Sequence, residues 1–145
     1  MKRRSVVLCA GIFYLALGTT LYTTQSALAG ASSSTYSEST NKSTVTVKIG
    51  STFKVALSSM YWQISPVKGT VVTLVGKAMT EPIMPGPKAP PGCQHPGTGC
   101  GKQTWTFKAK KVGMAVIQAT RSSCGEALRC VGDQGIFTLK VKVAK

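Results

Sequence analysis

Segment 136–143 reads IFTLKVKV, and from Phe137 onward its apolar and polar residues alternate. Alternation with a period of two puts every second side chain on one face, as in a β-strand that buries a single face. Six further segments have strand character, and Gly, Pro, Ser or Asn residues separate them: 45–49, 52–57, 61–64, 71–75, 105–109 and 114–119. No amphipathic helix longer than two turns is indicated. Seven short strands therefore predict an all-β domain, an antiparallel β-sandwich or barrel.

The N-terminus predicts export. Residues 1–29 combine a basic start, an apolar run over 6–17 and the small residues Ala27 and Ala29, the layout of a cleaved signal peptide. An uncleaved membrane anchor is the alternative, although the run is short for a bilayer. Residues 30–43 are rich in Ser and Thr and predict a flexible leader, since they offer little apolar surface to bury. The folded domain is expected over 44–145, in a secreted or extracytoplasmic protein.

The charge is strongly positive. The whole chain carries +14, and removal of Lys2, Arg3 and Arg4 leaves 15 basic residues against 4 acidic ones, a net +11. Scattered lysine favours anionic neighbours such as cell-wall polymers, acidic proteins or lipid head groups. Nucleic acid is disfavoured because no aromatic residues are interleaved with a basic stripe. One functional hypothesis is therefore a cell-envelope structural or adhesion module that binds anionic wall polymers.

Four cysteines follow the predicted signal: Cys93, Cys100, Cys124 and Cys130. An even number in a short exported chain predicts disulfides, for which three pairings are possible. Cys93–Cys100 and Cys124–Cys130 are favoured because each would close a short loop rich in Gly, Pro and polar residues. Zinc, with His95 as a further ligand, is the competing interpretation, but the spacing does not fit structural zinc sites. No metal or cofactor is expected.

Segment 81–101 interrupts the strand pattern with six prolines and five glycines, and it predicts a long loop. A disulfide across its second half would hold it in one shape, and a rigid loop loses less entropy when it binds a partner. Catalysis is not expected, because His95 is the only histidine and only four acidic residues are present. These features predict a binding protein.

Three parts of the chain resemble chagasin-type inhibitors of papain-like cysteine proteases. They are the strand pair in 44–57, the glycine-rich loop, strand and turn in 97–113, and the final hairpin formed by 117–121 and 137–141. The resemblance spans 44–145. It implies an immunoglobulin-like sandwich of about seven strands, whose three loops form a wedge at one end. Separately, the chain is expected to be a monomer. In that family the wedge plugs the active-site cleft of the protease.

The resemblance also implies partner-binding residues, although the loops depart from the family motifs. In the first loop Ser58-Ser59-Met60-Tyr61-Trp62 stands in place of Asn-Pro-Thr-Thr-Gly and an aromatic strand. In the third, Ser122-Ser123 replaces the Pro-Trp that follows the arginine. Trp62 is expected in the core, Met60 and Tyr61 at an exposed tip, and Arg121 either in solvent or on the partner. The candidate contacts are Ser59, Met60, Tyr61, Gly97, Thr98, Gly99, Gly101, Arg121 and the 124–130 loop.

Overall fold

The computed structural model describes residues 33–125 and 128–145. The predicted signal peptide, 1–29, lies outside the described residues. Within them the helical segments are two short 3-10 turns, Glu38–Thr40 and Gly132–Gly135. None of the described helices has the length and apolar character needed to cross a membrane.

Two four-stranded sheets pack face to face. The first has the order β1-β3-β6-β5 and contains β1 (Ser34–Tyr36), β3 (Thr52–Ser58), β5 (Val72–Pro82) and β6 (Gly101–Ala109). The second has the order β2-β10-β7-β4 and contains β2 (Thr44–Lys48), β4 (Gln63–Ile64), β7 (Gly113–Thr120) and β10 (Ile136–Ala144). A separate hairpin is formed by β8 (Ser123–Gly125) and β9 (Leu128–Arg129).

Period-two alternation builds the core. Along β10, Phe137, Leu139, Val141 and Val143 are buried while Lys140 and Lys142 face solvent. The facing sheet contributes further fully buried side chains to the same cluster, with the rings of two of its phenylalanines, 53 and 107, stacked 5.5 Å apart. The prediction of an all-β, immunoglobulin-like sandwich is therefore confirmed. Trp62 is only 3% exposed, as expected of a core residue.

The strand pattern differs from the prediction at several points. The sheets are mainly antiparallel, but β1 pairs with β3, and β2 with β10, in parallel. Strands β1, β8 and β9 were not among the seven predicted. Strand β5 extends to Pro82, which pairs with Gly101, so the long loop starts at Ile83 instead of Glu81. Proline is compatible with this position because β5 is an edge strand and Pro82 is its last residue.

Residues 33–43 are ordered in the structure, in contrast to the flexible leader predicted for 30–43. Ser34–Tyr36 pair with Phe53–Val55, and the rings of Tyr36 and Phe53 meet edge to face at 5.9 Å. Further along, the Asn41 side chain donates to the Ile136 carbonyl and accepts from the Thr138 N–H. Main-chain pairing, amide side-chain bonds and the packing of Tyr36 on the core thus order a segment that is otherwise poor in apolar residues. The folded unit begins well before Thr44.

The sandwich has two different ends. The loop end, as we name it, carries the first loop (59–62, between β3 and β4), the second loop (83–100, between β5 and β6) and the third loop (121–135, between β7 and β10). The opposite turn end brings together the β2–β3 turn, the β6–β7 turn and the C-terminus. There the Gly50 N–H donates to the Ala109 carbonyl, and the Ile49 N–H donates to the Ala144 carbonyl.

Candidate functional site

The first and second loops are joined by their backbones. The N–H of Ser59 donates to the carbonyl oxygen of Gly101 at 2.8 Å, and the N–H of Met60 donates to that of Gly99 at 2.9 Å. The side-chain amide of Gln103, on β6, also donates to the Met60 carbonyl at 2.9 Å. Three hydrogen bonds across a junction of this size hold the two loops as one unit.

Tyr61 completes this junction. Its hydroxyl donates to the carbonyl oxygen of Gly97 at 2.7 Å, and its ring lies directly against Gly99. Gly99 has φ +63°, and a Cβ built there would lie 1.9 Å from Tyr61 Cε2. Both the left-handed backbone and the close approach of the ring therefore require glycine at position 99. At position 99, therefore, the glycine of the glycine-rich motif has a structural role within the loop.

Arg121 joins the first loop to the third. Its guanidinium lies over the Trp62 ring, 4.7 Å from the centroid, an attractive cation–π geometry. Its Nε donates to the Gln134 carbonyl at 3.1 Å, and its Nη1 donates to the Ser58 carbonyl at 3.4 Å. Of the two roles considered from sequence, a purely solvated charge does not describe these contacts, and a partner contact stays a prediction. The side chain is half-buried and acts as a clamp between loops.

Both favoured disulfides are present. Cys93–Cys100 closes a stretch of the second loop, and Cys124–Cys130 closes the hairpin of the third. All four thiols are consumed in these bonds, so none is left to bind zinc or to act as a nucleophile. In the described ranges no group of three or more His, Cys, Asp and Glu side chains comes together.

The segment 37–43, which we call the strap, crosses from the first sheet to the second at the loop end. The Glu38 carboxylate accepts a hydrogen bond from the Ser58 N–H at the base of the first loop. The Lys42 ammonium pairs with Asp133 in the third loop, where both groups are well exposed and the pair contributes little to stability. The sequence did not reveal the strap, because its Ser/Thr-rich composition resembles that of a disordered segment.

A cleft of about 730 Å³ opens between the second and third loops. Residues from all three loops line it, and both disulfides contribute cysteines to its wall. Ile83 and Pro90 supply apolar surface, whereas Arg121 and the Lys102–Glu81 ion pair supply charge. The loop end is therefore a rigid rim around a concavity.

The structure brings the eight individually predicted contact residues and the described part of the 124–130 loop to this end, but most of the eight are covered. Ser59, Gly99 and Gly101 are buried; Met60, Tyr61, Thr98 and Arg121 are half-buried; Gly97 is exposed, as are Leu128 and Arg129 of the predicted 124–130 loop. The expectation that Met60 and Tyr61 protrude from a tip is wrong, because both pack on the second loop. These residues mainly hold the loops together.

Three large apolar side chains protrude at this end, and one of them, Leu128, belongs to the predicted 124–130 loop. Met84 in the second loop is 77% exposed, and Leu128 and Val131 in the third are 67% and 71% exposed. These are the highest exposed fractions of any large apolar residue in the described part of the chain. Exposed apolar groups on rigid loops are typical of protein-binding surfaces. The signal in the sequence was that each of them directly precedes a Pro, Arg or Gly in a loop.

These features define a class: an immunoglobulin-like sandwich with three mutually bonded loops at one end. No protein-family model and no curated protein sequence matches the chain. Solved structures that share its fold include EhICP2 and Amebosin. The cysteine protease inhibitor EhICP2 from Entamoeba histolytica is 13% identical, with a TM-score of 0.53 over 77% of this chain and 94% of its own. Amebosin is 16% identical, with a TM-score of 0.52 over 77% of this chain and 98% of its own. The predicted resemblance to chagasin-type inhibitors is thus confirmed at the level of the fold.

Proposed function

We propose that this chain is an exported, non-enzymatic binding domain that inhibits papain-like cysteine proteases through its loop end. The observation that carries the proposal is the position of Met84, Leu128 and Val131, the three most exposed large apolar side chains of the described residues, on two loops of one end, each of which contains a disulfide. The shared fold with a cysteine protease inhibitor supports the choice of target class.

The mechanism follows from rigidity. The first loop is bonded to the second through main-chain hydrogen bonds, and Arg121 of the third loop lies on Trp62 of the first and donates to Ser58 at the end of β3. Little conformational freedom is left to lose, so most of the free energy from apolar contact contributes to affinity. The apolar tips dehydrate the contact, and the rim occludes the catalytic cleft of the protease by occupying it. No bond of the inhibitor has to be cleaved.

The acidic groups of the described residues are engaged in structure, which favours binding over catalysis. Glu81 pairs with Lys102, Asp133 pairs with Lys42, and Glu38 accepts a hydrogen bond from the backbone of the first loop. A catalytic site requires convergent titratable groups, one of which must be free to exchange a proton. His95 lies in the second loop, exposed to solvent, and belongs to no cluster of three or more His, Cys, Asp and Glu side chains among the described residues.

Inhibition of papain tests the proposal. The parent chain is compared with the triple variant Met84→Ser, Leu128→Ser, Val131→Ser and with a control, Met114→Ser, Val116→Ser, on the outer face of the second sheet. The control residues are 54% and 48% exposed, so both variants remove exposed apolar surface. Each anchor is worth roughly 1 kcal/mol, and the loop variant should bind about 100-fold more weakly, with the control unchanged.

Absence of inhibition by the parent at high micromolar concentration would remove the protease from the proposal. If the loop variant and the control lost inhibitory affinity for papain equally, the loop end would not be the binding surface. Thermal unfolding of each variant shows whether the fold is intact, and little change is expected because the substituted side chains project into solvent.

A further inference from the structure

The lysines are unevenly distributed between the two ends. Hydrogen bonds from Gly50 to Ala109, from Lys110 to Val71 and from Ile49 to Ala144 place the turns and the C-terminus together. Six exposed lysines lie on these elements or within a few residues of them along the chain: Lys48, Lys108, Lys110, Lys111, Lys142 and Lys145. The three acidic residues that the structure describes, Glu38, Glu81 and Asp133, all lie at the loop end. The turn end therefore concentrates positive charge without local compensation from the described acidic groups.

Two apolar side chains protrude among these lysines. Ile49 in the β2–β3 turn is 44% exposed and Val112 in the β6–β7 turn is 53% exposed. The turns are neighbours, because Ala109 exchanges main-chain hydrogen bonds with Gly50 and Ser51. An apolar tip within a ring of cations has the chemistry of a bilayer interface site: the tip enters the headgroup region and the cations meet the phosphates. A soluble polyanion, in contrast, would bind to the lysines and would not need the two apolar side chains.

We infer that the turn end docks on an anionic phospholipid surface, with Ile49 and Val112 inserted and Lys110 and Lys111 on the headgroups. Strand β1 also begins at this end, since Ser34 pairs with Phe53 next to the β2–β3 turn. Docking there directs the loop end away from the membrane. The rim around Met84, Leu128 and Val131 then faces the surrounding medium and stays accessible to a protein partner.

Vesicle co-sedimentation tests the inference, using chains recovered after export so that every variant carries the same N-terminus. The parent should bind phosphatidylglycerol-containing vesicles and not pure phosphatidylcholine vesicles, and binding should weaken with salt. Lys110→Glu, Lys111→Glu should reduce binding more than tenfold, because each cation near an anionic surface contributes roughly a fivefold factor. The control Lys77→Glu, Lys88→Glu makes the same charge change on β5 and the second loop and should retain binding.

The apolar variant Ile49→Ser, Val112→Ser separates a bilayer from other polyanions. It should lose vesicle binding while leaving retention on an anionic polymer such as dextran sulfate unchanged. Equal vesicle binding by the two lysine variants would overturn the turn-end assignment. Full vesicle binding by the apolar variant would overturn the insertion of Ile49 and Val112 into the bilayer. The turn end would then be a general polyanion-binding surface, which could equally bind an anionic wall polymer. Papain inhibition should be the same in the parent, the turn-end lysine variant and the apolar variant, so a failure of lipid binding is distinguishable from a failure of the proposed inhibitor function.

Discussion

Gly99 offers the sharpest test of how the loop end is held together. At φ +63°, replacement by alanine costs about 1 kcal/mol in backbone strain alone. The new Cβ would lie 1.9 Å from Tyr61 Cε2, so the ring must also move and release its hydrogen bond to the Gly97 carbonyl. Displacement of a packed ring and loss of that bond add about 2 kcal/mol. The expected total for Gly99→Ala is about 3 kcal/mol.

Gly92→Ala is the matched control. Gly92 lies in the same loop with φ +83°, but no atom lies within 4 Å of the position that an alanine methyl would occupy, so only the strain of about 1 kcal/mol applies. Urea denaturation followed by tryptophan fluorescence measures both free energies of unfolding. The difference of about 2 kcal/mol corresponds to roughly 30-fold in the unfolding equilibrium. Equal destabilisation by the two variants would refute the close packing of Tyr61 on Gly99, and with it the rigid junction of the first two loops.

Three further predictions concern the contacts around this junction. Arg121→Lys keeps the charge but loses the planar donor geometry, and should lower the free energy of unfolding by about 1–2 kcal/mol in urea denaturation. Glu38→Ala should speed hydrogen exchange at the Ser58 amide, whereas Glu38→Gln should restore most of the protection because an amide oxygen still accepts the bond. Replacement of Cys124 and Cys130 by serine should lower the free energy of unfolding by about 2 kcal/mol, because the disulfide closes a short loop and restricts the unfolded chain. The same replacement should also weaken papain inhibition. Urea denaturation and the papain assay measure the two effects.

Much of the fold could be predicted because alternation is a local property. Each of the seven predicted strands corresponds to an observed one, and β10 buries the residues that its alternation assigns to one face. The strap and β1 could not be predicted in this way. Their order comes from main-chain pairing with β3 and from Asn41 bonded to the backbone near β10, contacts between residues far apart in sequence.

The candidate site shows the same division. Glycine and cysteine positions were sufficient to predict a constrained second loop, and the short cysteine separations favoured the pairing that the structure contains. The role of each loop residue could not be predicted from the sequence. Whether Tyr61 meets a partner or packs on Gly99 depends on where the second loop returns, and this return is separated from Tyr61 by strand β5 and the whole proline-rich segment.

The amino-acid sequence by itself determined the strand periodicity, the excess of positive charge and the loop cysteines, since each of these is a property of neighbouring residues. Only the tertiary structure decided that the predicted contact residues are largely covered, that Met84, Leu128 and Val131 protrude at the loop end, and that the lysines with Ile49 and Val112 gather at the turn end. The physical reason is that burial and electrostatic potential depend on distances in space. The packing of two sheets brings together residues that the chain keeps far apart.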